Sequence, residues 1–203
     1  GFSNVCQPSM DCSFGDGFQQ FTLAEIDNSS GCEGFGDFTD QVANLDPGST
    51  YDLTVTTGYG QQYMTVWIDY NDDLLFTSDE KVVTDYIIGA GQNGGTFTET
   101  VALVVPSDAT PGEHRMRAKT NWNAPVPDNA CEISEYGETE DYTANIGTLG
   151  VNDEDIMQVR LFPNPVDGNF VTIQTPINGT KKIEVFDLVG KRVINTNLIS
   201  DSL

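Results

Sequence analysis

The sequence predicts an all-β protein, and three observations carry that prediction. Apolar residues recur at every second position in several short runs, the period of a strand with one buried face. The runs are separated by "LDPGST", "GAGQNGG" and "PSDATPGE", whose Pro and Gly residues break a helix. No window holds a 3.6-residue period for more than about two turns. A strand with one apolar face needs a second sheet to cover it, so an antiparallel β-sandwich, jelly-roll or immunoglobulin-like, is the economical arrangement.

In chain order, the alternating runs are Tyr51, Leu53, Val55; then Val66, Ile68; Val101, Leu103, Val105; His114, Met116, Ala118; and Tyr142, Ala144, Ile146. Each reads as a half-buried strand. Around 147–158, "GTLGVNDEDIMQ" loses the alternation and turns small, polar and acidic, as linkers do. Beyond it, "LFPNPVDGNFVTIQTP" and "KKIEVFDLVGKRVI" read as two strand-like segments with a hairpin turn at Gly190. The expected organisation is a sandwich over 1–146, a linker over 147–158 and a second module over 159–203. The 203 residues, 38% of them hydrophobic, suffice for one core or a little more. A module of about 45 residues cannot hold a generous core, so the second is expected to be marginal alone or short of strands, stopping unfinished at Leu203. The start at Gly1, with no charged-then-apolar leader, reads as a mature or excised end.

Charge narrows the function classes. Nine basic residues against 31 acidic ones give a formal net charge of −22, so a phosphate backbone or an anionic lipid surface repels the chain. Neither nucleic acid nor membrane insertion is expected, and no run of 18 or more apolar residues stands ready as a membrane helix. Self-repulsion of this size also favours bound divalent cations.

A place for one is "DYNDDLLFTSDE". Counted from Asp69, oxygen-bearing side chains fall at positions 1, 3, 5, 9 and 12, as Asp69, Asn71, Asp73, Thr77 and Glu80, with the Leu75 carbonyl at position 7. Alternate residues of a tight turn converge in this way on a hard cation needing six to eight oxygens, which makes calcium the expected ion. Position 6 is Leu74 where a helical calcium loop needs Gly, and the approach "MTVWI" is a strand. The expected site is therefore a DxNxD turn on a β-scaffold. Its metal is structural, since no nucleophile or second metal cluster accompanies it. The competing reading is a solvated acidic turn in a chain full of carboxylates.

Cys6, Cys12, Cys32 and Cys131 include no CxxC pair and have only His114 for company. That argues against zinc and for two disulfides in an oxidising compartment. His114 alternates within a strand and reads as structural. Trp67, Trp122 and Tyr136 suggest an aromatic platform, but Trp67 sits inside a strand, where packing is the default. Trp122, in the polar loop "TNWNAPVPDN", is the expected ligand contact. Glu138, Glu140 and Asp141 could complete a cation site; the structural reading pairs Glu140 with Arg115 or Arg117.

Three stretches taken together, "VWIDYNDDLLFTSDEKV" (66–82), "VPSDATPGEHRMRAK" (105–119) and "CEISEYGETEDYTANI" (131–146), resemble the GEVED domain. This is an extracellular β-sandwich module of secreted Bacteroidetes proteins. Its name-giving motif stands here as Gly137, Glu138, Thr139, Glu140, Asp141, with Thr139 for the usual Val, and its "DWNxDGDF" as "DYNDDLLF". The leading region "CSFGDGFQQFTLAEIDNSSGCEGFGDFTD" extends the resemblance to about residues 5–146. Of the three possible cysteine connectivities, the resemblance favours Cys12 with Cys32 and Cys6 with Cys131. The tail, "LFPNPVDGNFVTI" then "KKIEVFDLVGKRV", resembles the type A C-terminal sorting domain of the type IX secretion system, itself a small β-sandwich, here incomplete. That implies export across an outer membrane, with translocon or shuttle proteins as partners of 159–203.

The expected function is a non-catalytic, calcium-stabilised module of a secreted or cell-surface protein, adhesin-like, taking a surface glycan or protein ligand. The alternative is a carbohydrate-binding accessory module of a larger secreted hydrolase. A third reading, an enzyme in its own right, lacks a nucleophile or an open metal site in the sequence.

Overall fold

A strand that is apolar on alternate positions is stable only when that face is covered, and the chain covers its strands by pairing two sheets. The computed structural model describes residues 5–147, 160–162, 168, 171–174 and 179–200. Two compact units emerge, Gly1–Leu149 and Gly150–Leu203. Among the described residues there is no α-helix, hence no helix long and apolar enough to cross a membrane.

The first unit holds β1 (Phe18–Leu23), β2 (Ile26–Asn28), β3 (Phe35–Leu45), β4 (Thr50–Thr57), β5 (Gln62–Ile68), β6 (Lys81–Ile88), β7 (Phe97–Val104), β8 (Gly112–Trp122) and β9 (Thr139–Ile146). One sheet runs β2-β1-β4-β7 and the other β3-β9-β8-β5-β6. Their inner faces share one core: Phe21, Leu23, Leu53, Val55 and Leu103 from the first, and Met64, Val66, Ile68, Met116, Tyr142 and Ala144 from the second. The alternation predicted for β4, β5, β7, β8 and β9 supplies most of these residues. Burial of each large one stabilises the fold by about 1.5–3 kcal/mol. Phe21 and Tyr142 stack at 4.5 Å between ring centroids, joining the two sheets.

The all-β sandwich is as expected, with one departure from a purely antiparallel arrangement. Strand β3 lies parallel to β9, and its register slips between Asp37 and Val42. The chain reaches β3 from the first sheet, so β3 joins the edge of the second by a crossover rather than a hairpin.

The central strands of the second sheet, β5, β8 and β9, are buried on both faces along much of their length. Over the outer face of that sheet, Trp67, Phe76, Val126 and Ala130 form a second apolar cluster. Trp67 is thus a packing residue, as its strand position predicts. Cys6 is bonded to Cys131 and Cys12 to Cys32, with Cα atoms 5.6 and 5.4 Å apart, the pairing that the family resemblance implies. The closed loops span 125 and 20 residues, which chain entropy values at about 5 and 3 kcal/mol.

In the second unit β10 (Arg160–Phe162) pairs with β11 (Thr172–Gln174), and β12 (Gly179–Phe186) with β13 (Arg192–Ser200), both antiparallel. The β12–β13 hairpin turns at Gly190, φ 82°, with the Asp187 carboxylate accepting from Val189 N (3.0 Å) and Lys191 N (2.9 Å). None of this unit's described side chains is buried, and Phe186, Leu188, Val189 and Ile194 are exposed. All but the first residue of the expected linker 147–158, and the chain's end at Leu203, lie outside the described residues.

Candidate functional site

The Gly137–Asp141 motif buries its polar groups, Glu138 to Asp141 all being fully buried. Gly137, at φ 129°, leaves no room for a Cβ, which would meet the Thr120 carbonyl. Glu138 Oε1 accepts from Glu33 N (2.8 Å) and Gly34 N (3.2 Å), and Oε2 from Phe18 N (3.0 Å). One buried carboxylate thereby holds the starts of β1 and β3. Gly17 makes way for it, since a Cβ there would stand 2.7 Å from Oε2. Burial raises Glu138 to about 8 against the pull of those N–H groups.

Glu140 does not pair with Arg115 or Arg117; Asp141 does. In the β8–β9 ladder Arg117 faces Asp141, while Glu140 faces Ala118 and so points to the inner face. Asp141 accepts from Arg117 Nε (2.7 Å) and Nη2 (2.8 Å) and from Arg115 Nη1 (3.0 Å). Removing one partner of a buried pair of this kind costs about 3–5 kcal/mol. Glu140 instead accepts from the Tyr142 hydroxyl at 2.6 Å, its Oε1 has no partner, and burial lifts its pKa to about 7. Glu33, Glu138 and Glu140 form the one trio of His, Cys, Asp or Glu side chains among the described residues with ligand atoms within 4.8 Å of one another. Of these, Glu138 is held by backbone N–H groups and Glu140 by the Tyr142 hydroxyl.

In the acidic loop, Asp69 is fully buried and accepts from Asp73 N (3.2 Å) and Leu74 N (2.9 Å). Asn71 Oδ1 accepts from the same Asp73 N (2.9 Å), and Asp73 Oδ1 from Leu75 N (2.8 Å). Glu80 closes a capping box on Thr77, 2.8 Å from its N and 3.0 Å from its Oγ1. The side chains thus wind round successive N–H groups of one turn, in which Asp72 and Leu74 take φ of 56° and 65°. Burial raises the Asp69 pKa; the N–H groups of Leu74 and Asp73 oppose that, while the Glu80 and Asp73 charges add to it. No cationic side chain meets Asp69 among the described residues. Both Asp69 oxygens are thus taken by N–H groups of the turn, and Asp69, Asp73 and Glu80 do not bring three carboxylate oxygens within 4.8 Å of one another. His114 lies beside the loop, Nδ1 3.0 Å from Asp72 Oδ1 and Nε2 2.8 Å from the Thr110 carbonyl.

Trp122 is exposed at the end of β8, and its neighbours were not apparent from the sequence, apart from Tyr136. Phe14, Tyr59, Trp122 and Tyr136 close a ring in which consecutive centroids lie 5.8–5.9 Å apart. Their planes are inclined at 44° to 87°, so they wall a cup of about 130 Å³ rather than a flat platform. Asp16 also lines the cup, 3% exposed, with no hydrogen-bond partner for either carboxylate oxygen. The frame is stiff: Gly15 N donates to the Cys12 carbonyl (2.9 Å) beside the Cys12–Cys32 bond, and Gly137 N to the Asp11 carbonyl (3.0 Å). Gly58 packs against the Gly15 carbonyl where a Cβ would collide.

No curated protein matches the chain. Residues 63–145, running from β5 to the penultimate residue of β9 and containing the whole Gly137–Asp141 motif, match the family model of the GEVED domain.

Proposed function

We propose that the chain is a non-catalytic binding module of a secreted or cell-surface protein, adhesin-like, with calcium held by Asp69, Asn71, Asp73, the Leu75 carbonyl and Glu80. The observation that carries this reading is the solvent-open aromatic cup around Trp122, held by a disulfide-fastened sandwich. Exposed aromatic side chains gathered in one concavity are the usual substance of a binding site. The GEVED match and the disulfides support an extracellular setting. Residues 159–203 act as the type IX sorting signal in this reading, their exposed apolar strands being what a translocon or shuttle protein would cover.

A second reading, a carbohydrate-binding accessory module of a larger secreted hydrolase, draws on the same Trp122. Both are tested with the full chain produced in a bacterium that has the type IX machinery. The chain is expected on the cell surface, a chain lacking 159–203 in the periplasm, and a Trp122→Ala chain in the medium. Surface retention of Trp122→Ala equal to wild type overturns the binding role. Identical location with and without 159–203 overturns the export route. Release of the wild-type chain by soluble polysaccharide selects the carbohydrate reading.

A further inference from the structure

We propose that the cup of Phe14, Tyr59, Trp122 and Tyr136 over the Asp16 carboxylate binds an organic ammonium group. The inference rests on the reading of this cup as a binding site and specifies the ligand's chemistry. Asp16 is a carboxylate withdrawn from water with neither oxygen hydrogen-bonded, an arrangement that costs free energy until a donor or a cation reaches it. No Lys, Arg or His side chain pairs with it among the described residues.

Burial pushes the Asp16 carboxyl up, the nearby N–H groups of Asp16 itself, Gly137 and Phe14 counter this without reaching hydrogen-bond geometry, and Asp11 adds a second negative charge. A ring that turns its face to the ligand adds to this, because an aromatic quadrupole is negative above and below its plane and attracts a cation within about 6 Å of the centroid. A sugar ring stacks on a flat face, whereas these four rings are mutually tilted and enclose a volume suited to a compact head group. Tyr59 takes φ 61°, and this turn backbone places its ring in the wall.

Two sources carry this chemistry, a quaternary choline-type group and the ammonium of a lysine side chain. Choline and Nα-acetyl-lysine methylamide are titrated separately against the full oxidised chain, with 3,3-dimethylbutan-1-ol as the neutral isostere of choline. The readout is Trp122 fluorescence, checked by calorimetry, with buried Trp67 as constant background. At least one ammonium should give saturable binding, roughly tenfold or more tighter than the neutral alcohol, and Asp16→Asn should lose about that factor. Which ammonium binds more tightly identifies the source. Phe14→Ala, at a rim position 59% exposed, should weaken binding to a similar degree and serves if Asp16→Asn is not recovered folded. Equal affinity for the alcohol and choline, an Asp16→Asn or Phe14→Ala chain that binds as wild type does, or no saturable signal from either ammonium overturns the proposal. If surface retention still depends on Trp122 in that event, the binding role stands and only the ligand class falls; if it does not, both fall.

Discussion

A buried carboxyl with one oxygen on Tyr142 and the other unpartnered keeps its proton to higher pH than one in water. The Glu140 pKa is about 7 in the fold against 4.5 for the free side chain. Between those values the folded state binds more protons than the unfolded one. The stability contributed is therefore full below about pH 4.5 and is lost as pH rises through about 7. The melting midpoint should fall between pH 5 and pH 8, and Glu140→Gln, which cannot titrate, should remove part of that fall, roughly 3–6 °C. General repulsion in a chain of net charge −22 slopes the same way, so the difference between variant and wild type removes that background and reports Glu140 together with its charge coupling to Glu138. Parallel pH profiles for the two proteins would remove Glu140 as the cause. Its neighbour Asp141 lies on the opposite face of the same strand, where it meets Arg117 and Arg115.

At the scale of elements, the start of β9 depends on a glycine. Gly137→Ala combines a φ of 129° with a Cβ that meets the Thr120 carbonyl, and a loss on the order of 2–4 kcal/mol is expected in denaturant unfolding. Gly91→Ala, at φ 74° with nothing within 4 Å of the added Cβ, should cost only the backbone term, about 1–2 kcal/mol. Equal losses at the two positions would mean that the close approach of β8 to residue 137 carries no energetic weight. Strand legibility follows similar local physics. Strands β4, β5, β7, β8 and β9 were readable because their inward residues alternate without interruption. Strand β1 was not, since its register shifts between Phe18 and Gln20 and brings Phe18 and Phe21, three apart, to the same core. Strand β6 carries Asp85 at φ 44° and two shifts against β5, while β3 buries apolar side chains only near its end, at Ala43 and Leu45. The acidic loop was legible because its oxygens lie within one turn. The cup was not, because the topology brings together Phe14 and Tyr59 from two loops and Trp122 from the end of β8, far apart in sequence.

For the molecule as a whole, 31 acidic residues against nine basic ones make a bound divalent cation a source of stability beyond its own ligands. Calcium binding only the folded state at a hundred times its dissociation constant adds about 2.7 kcal/mol, so millimolar calcium should raise the melting midpoint by several degrees and chelator should lower it. Asp69→Asn should lose this response; an identical melt in calcium and in chelator would reject the metal. The Cys6–Cys131 bond acts at the same scale. It closes a 125-residue loop, and the Arg117 guanidinium donates to the Cys6 carbonyl at 2.7 Å while held by Asp141. A protease that cuts an exposed turn inside that loop, such as 90–95, therefore leaves both fragments covalently tethered and interleaved in the same sheets, so that nicking alone does not release the halves.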